Sequence, residues 1–219
     1  VRSRRQRQMC IRDRLKEVYK SSPFGVVSSF LIGISHSAVF SLIAVYATSM
    51  NFSILEVSIV TFLFAISGAI SQWPIGKLSD VLDRRIVIIY TTFGAALFCF
   101  LAIISSGQMY MPAGLATSKL FFYICIMCFS FCSLPMFALI FAHTNDFIPK
   151  EKFVAAGAGL QFVFGLGAIC GPFMCSLFME FLGENGFFIF LIIFHSFIGL
   201  FGIYLSLIHI SEPTRHSSI

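Results

Sequence analysis

Six long apolar runs, separated by short polar or charged segments, dictate the architecture of this chain. They fall at about residues 25–48, 55–75, 86–106, 120–142, 154–179 and 186–206. Each is near the ~20 residues needed to cross ~30 Å of hydrocarbon at ~1.5 Å per residue. Helices are the only regular structure open to such runs. Unpaired backbone N–H and C=O groups cannot face lipid, and barrel strands would alternate over about 10 residues. Hydrophobic residues make up 58% of the chain and charged residues 11%, against roughly 25% charged in soluble domains. The fold expected is an all-α integral membrane bundle of six transmembrane helices, with the lipid bilayer as its first partner.

Charge placement orients the bundle. Eight of the fifteen Lys and Arg precede Ser21, and most others flank spans. One set of segments carries Arg12, Arg14, Lys16, Lys20, Lys77, Arg84, Arg85, Lys150 and Lys152, whereas the opposite set, 49–54, 107–119 and 180–185, carries only Lys119. The excess of positive charge predicts that the first set, and with it both termini, is cytoplasmic. The net charge of +5 is therefore membrane topology and implies no nucleic acid.

Between the second and third runs the chain reads Gln72-Trp-Pro-Ile-Gly-Lys-Leu-Ser-Asp-Val-Leu-Asp-Arg-Arg85. Five charges within nine residues must sit at a membrane face, since each costs roughly 2.5–3.5 kcal/mol at the bilayer centre. Pro74 and Gly76 are expected to end the second helix in a sharp turn, and Asp80 or Asp83 to cap the third. This stretch resembles the loop motif Gly-x-x-x-Asp-Arg-x-Gly-Arg-Arg of the major facilitator superfamily. Gly76, Asp80, Arg84 and Arg85 match; Val81 stands where the family usually has Arg, and Asp83 where it has Gly. The degraded form resembles the second copy of the motif, after the eighth span. The resemblance covers about residues 15–205 and implies spans seven to twelve of a twelve-span secondary transporter, in a poorly characterised bacterial branch. It implies a half-bundle of 3+3 inverted repeats, a missing N-terminal six-span half, a small-molecule solute moved by alternating access with protons as one candidate coupling ion, and the bacterial inner membrane. Gly76, Asp80, Arg84 and Arg85 would be the conformational lock.

No Asp, Glu, Lys or Arg lies mid-span, so the polar side chains at depth are the candidates for lining a cavity: His36, Tyr46, Gln72 and Gln161. His36, between Ser35 and Ser37, is read equally well as a cavity residue and as a satisfied interhelical histidine. His195, among Phe and Ile, is read as structural. At the end of the fourth run, His143, Asn145 and Asp146 are either helix-end turn chemistry or a gate coupled to the basic loop. The fifth run holds Gly167-x-x-x-Gly171 followed by Pro172, a spacing for close helix packing. Gly-Pro here resembles the antiporter motif of the superfamily, but close packing needs no exchange. Cys125-x-x-Cys128 has redox or zinc spacing, yet inside a span and without charge it reads as two small hydrophobes. No cofactor and no metal are implied, and hydrolase, zinc-protease and phosphate-loop motifs are absent.

Residues 1–14 and 207–219 resemble translated sequencing-adaptor DNA, with 15–24 a cytoplasmic linker and 25–206 the six-span unit. The chain is accordingly expected to be a gene fragment. Two alternatives stay open. A lipid-modifying membrane enzyme would need a reactive cluster near an interface, for which only His143 with Asp146 qualifies. A natural half-size carrier would act as a dimer.

Overall fold

In the computed structural model, Ser22 and Pro23 open the first span. Ser22 Oγ accepts from the Gly25 N–H at 3.2 Å, and Pro23 sits in the first turn, where its missing N–H removes no helical bond. The structure describes residue 16 and residues 18–106 and 119–209; the adaptor-like arm at 1–14 and the end of the tail lie outside them. The helices are α1 (Pro23–Ser49), α2 (Ile54–Val81), α3 (Arg84–Ser105), α4 (Lys119–Ser133), α5 (Met136–Asn145), α6 (Phe153–Leu182) and α7 (Gly186–His209), with a short 3-10 turn at Lys150–Lys152 before α6. No strand occurs among the described residues. Six helical segments are long and apolar enough to cross a membrane, α4 and α5 together forming the fourth.

Two local expectations need correction. First, α2 does not end at Pro74 and Gly76 but continues to Val81. Proline inside a helix removes one backbone bond without stopping the others, and the Ser79 hydroxyl donates to the Gly76 carbonyl at 2.7 Å within the continuing helix. The turn comes at Leu82–Asp83, where Asp83 Oδ1 accepts from the Arg85 N–H at 2.8 Å and caps α3. Second, the fourth span is not one rod. Pro135 follows Ser133 and Leu134 and splits it into α4 and α5.

Other ends follow ordinary rules. Ser53 and Glu56 form a reciprocal capping box at the start of α2, with the Ser53 N–H donating to Glu56 Oε2 at 2.8 Å. At the end of α6, Gly183 adopts φ +71°, a region that side chains disfavour, and lets the chain turn back into α7.

The spans alternate in direction. Lys119 at the start of α4 pairs with Glu56 at the start of α2 at 2.5 Å, while the end of α2, the start of α3 and the end of α5 meet at the other face through Arg84. Packing obeys a two-fold relation between spans 1–3 and spans 4–6. α1 packs most extensively on α6, and its counterpart is α2 on α4. α3 packs on α4, and its counterpart is α7 on α1. α3 and α7, the third members of each set, pack on one another. This is a 3+3 half-bundle.

The two pseudo-equivalent seams use different chemistry. Along α1 and α6, Gly33 lies against the Phe164 carbonyl, Gly167 against the Phe30 carbonyl and Gly171 against the Ile34 carbonyl, so close that no Cβ fits. Small residues permit that backbone approach, which dispersion then stabilises. Along α2 and α4, serines reach across instead. Ser67 Oγ donates to the Met127 carbonyl at 2.6 Å, and Ser130 Oγ donates to the Phe64 carbonyl. The main core runs inside the bundle around Tyr46, Phe122, Phe129, Phe187, Phe188 and Phe190.

Candidate functional site

Polar chemistry collects at two depths. At the charged end, Arg84 at the start of α3 is the centre. Its Nη1 donates to Asp146 Oδ1 at 2.9 Å and to the Ala142 carbonyl at 3.0 Å, and its Nη2 donates to Asp80 Oδ1 at 3.2 Å. A guanidinium suits this task because its fixed fork reaches several acceptors at once. Arg84 thereby ties the end of α2 and the start of α3, in one three-span set, to the end of α5 in the other. Arg85 does not join the ion pairs; its guanidinium lies 6.0 Å from the Phe147 ring centroid. Gly76 has open space around it and serves no close approach.

Of the gate residues, only Asp146 enters this cluster. His143 is buried, and its ring is held edge-on by Phe24 at 5.2 Å and Phe147 at 5.0 Å. Asn145 has a buried Oδ1 with no hydrogen-bond partner among the described residues.

The second collection lies halfway through the bundle. His36 of α1, Ser133 at the end of α4 and His195 of α7 converge there, all buried. His36 Nε2 is 3.1 Å from the Ser133 carbonyl and 3.3 Å from Ser133 Oγ. Ser133 Oγ is 2.8 Å from His195 Nε2. His195 Nδ1 is 2.9 Å from the Leu191 carbonyl and 3.3 Å from Ser35 Oγ. Carbonyls only accept, so His36 carries its proton on Nε2 and His195 carries its proton on Nδ1. His195 Nε2 is then an acceptor, and Ser133 Oγ–H donates to it. Every bond in this line therefore has a direction.

The line exists because the fourth span breaks. α4 ends at Ser133, α5 starts anew at Met136, and the Ser133 carbonyl faces His36 at that interruption. His195, read from sequence as structural, and His36, read both ways, are thus one unit. Ser133 drew no attention in the sequence; the signal was Ser-Leu-Pro in the middle of an apolar run.

The remaining sequence candidates do not converge. Tyr46 is not on an open face. It is sunk among Phe122, Phe187 and Phe188, with ring centroids 6.0, 5.3 and 4.8 Å away, at the wall of a cleft of about 170 Å³ shared with Ser105, Ser106 and Lys119. Gln72 and Gln161 are exposed on α2 and α6, the two least buried spans. Gly167 and Gly171 form the α1–α6 seam described above, and Pro172 lies within α6 one residue further on. No group of three or more metal-ligating side chains occurs among the described residues.

Six alternating spans in two related triplets, with an arginine clamp across the triplets, define a polytopic membrane protein. The family model of the Major Facilitator Superfamily matches residues 25–219, and the chain belongs to that family. Similar proteins include the uncharacterized MFS-type transporter YE1530 of Yersinia enterocolitica, 25% identical over 170 residues, which are 78% of this chain and 41% of the relative. Another is the uncharacterized MFS-type transporter YfkF of Bacillus subtilis, 27% identical over 173 residues, 75% of this chain and 40% of the relative. A third is the uncharacterized MFS-type transporter YcaD of Escherichia fergusonii, 22% identical over 197 residues, 90% of this chain and 48% of the relative. The chain spans less than half the length of these curated relatives. No solved structure matches it.

Proposed function

We propose that this chain forms half of a secondary transporter that moves a small solute across a bacterial inner membrane by alternating access. The observation that carries the reading is the Arg84 clamp. It holds helix ends from both triplets, yet Arg84 and Asp146 are partly exposed, with side-chain accessibilities of 27% and 50%. Screened pairs of this kind contribute about 0–1 kcal/mol, so the clamp can open and close at little cost. Membership of the transporter family supports the same reading.

The clamped end is the cytoplasmic one, following the distribution of Lys and Arg, and both termini lie on that side. A preceding six-span half supplies the opposite wall of the pathway. His36, Gln72 and Gln161 contribute to the wall from this side, with Tyr46 behind it. The absence of mid-span charge favours a neutral solute. Protons are the proposed coupling ion.

The test is reconstitution of the product of the whole gene in liposomes with a panel of isotopically labelled neutral solutes. Saturable uptake of at least one, absent from empty liposomes and altered in rate by Asp146→Asn, is expected. If no solute moves while the vesicle lipids are chemically changed, and His143→Ala stops that change, the lipid-modifying reading takes its place.

A further inference from the structure

We propose that His36, Ser133 and His195 form one proton-binding site at mid-membrane, which takes up a single proton through the Ser133 hydroxyl. This rests on the transport reading only for its use, as the group through which protons couple to solute movement. The site itself stands on geometry.

Three features carry it. The three side chains come from three different spans and meet at the break in the fourth. The hydrogen bonds run in one direction, from His36 Nε2–H, shared between the Ser133 carbonyl at 3.1 Å and Ser133 Oγ at 3.3 Å, from Ser133 Oγ–H to His195 Nε2, and from His195 Nδ1–H to Leu191 O. The line is also isolated. Residues 23–49 and 186–209 contain no Asp, Glu, Lys or Arg, and in the other spans charged residues sit near the ends. The faces packed around the rings are apolar: Phe164 of α6 lies 6.2 Å from His36, and Phe129 of α4 lies 5.6 Å from His195. The nearest thiol in sequence, Cys132, points toward Gly94 of α3. The titratable group facing each histidine is the other histidine.

The step balances as follows. A proton arriving at His36 Nδ1 forms an N–H there. The Nε2–H bond of His36 breaks as its proton passes to Ser133 Oγ, and the original Ser133 O–H breaks as its proton passes to His195 Nε2. His36 ends neutral in the opposite tautomer, giving up its bond to the Ser133 carbonyl while its bare Nε2 accepts from the Ser133 O–H; Ser133 keeps one proton, and His195 becomes imidazolium. The Nδ1–H of His195 is already held by Leu191 O, so the proton stops there. A second charge is disfavoured, because both rings address one hydroxyl in a medium of low dielectric.

The experiment is nitrogen NMR of histidine side chains in the full chain, labelled with nitrogen-15 and embedded in lipid bilayers, as pH falls from ~8 to ~5. His36→Gln and His195→Gln assign the signals. At high pH we expect the Nε2–H tautomer for His36 and the Nδ1–H tautomer for His195. On acidification, His195 becomes doubly protonated and His36 switches tautomer at one shared midpoint. Ser133→Ala should split that midpoint by about a tenfold difference in proton concentration, one pH unit, while Ser133→Thr, which keeps the hydroxyl, restores it. Two rings that stay neutral throughout, or that titrate independently with Ser133→Ala changing nothing, overturn the site and leave a purely packing role. The measurement asks nothing of solute movement, so its failure leaves the transport reading standing, and a chain that transports nothing can still pass it.

Discussion

The guanidinium of Arg84 donates to Asp146 Oδ1 at 2.9 Å, joining residues 62 positions apart in sequence. The same nitrogen also holds the Ala142 carbonyl, and its neighbour holds Asp80, one turn back along the chain. A single side chain thus reports whether the ends of α2, α3 and α5 are together or apart.

Asp146→Asn should cost little stability, about 1 kcal/mol or less, because the pair is partly exposed. Its effect belongs on the conformation of the charged end. A cysteine placed at buried Ser79 in the whole-gene product should react with a water-soluble maleimide several-fold faster when Asp146 is Asn. Equal labelling rates would remove the clamp from the mechanism. Arg84→Lys should resemble Asp146→Asn rather than the parent, since an ammonium cannot serve three acceptors in the guanidinium's fixed geometry.

The glycines of α6 separate into two kinds. A Cβ at Gly167 would collide with the Phe30 backbone, whereas Gly165 has nothing within 4 Å of that position. Gly167→Ala should destabilise the bundle by about 1–3 kcal/mol, the usual cost of overpacking. Gly165→Ala should be neutral or slightly stabilising, because alanine favours helix. Thermal unfolding in bilayers, followed by circular dichroism, decides between this contrast and equal effects at both positions.

Trp73, the single tryptophan, is 70% exposed on α2, with Lys77 Nζ 4.2 Å from its ring centroid. In bilayers containing brominated acyl chains, its fluorescence in this chain alone should be strongly quenched. In the product of the whole gene, quenching should fall if this face of α2 docks on the preceding half. Unchanged quenching would place that interface elsewhere.

Ser53→Ala removes the cap of α2, whose Oγ accepts from the Glu56 N–H. A loss of about 1 kcal/mol is expected. Hydrogen exchange should quicken in the first turn of α2 and leave the Gly33–Phe164 seam unchanged; a loss spread through the bundle would mean that the cap sets the whole α2–α4 contact.

Much of the architecture was legible without coordinates. Apolar runs must become helices in lipid, and Asp83, one of the two cap candidates in the charged loop, is a start signal that acts over one turn. Even the Gly167–Gly171 spacing indicated a close helix contact, though not its partner. Local signals failed where a helix had the means to continue. Pro74 and Gly76 resembled a stop, but Pro74 removes a single backbone bond and Gly76 none, and the helix around them continued to Val81.

The sequence by itself determined the class, the number of spans, their alternation and the charged loop, because hydrocarbon thickness and the cost of exposed backbone or buried charge act on each segment separately. The tertiary structure decided which residues share a site. That Arg84 would choose Asp146, that α1 would seat on α6, and that His36 and His195 would meet on Ser133 depend on crossings between segments 62 to 160 residues apart. Hydrogen bonds act over about 3 Å, and no periodicity within one span specifies which side chain of another will come that near.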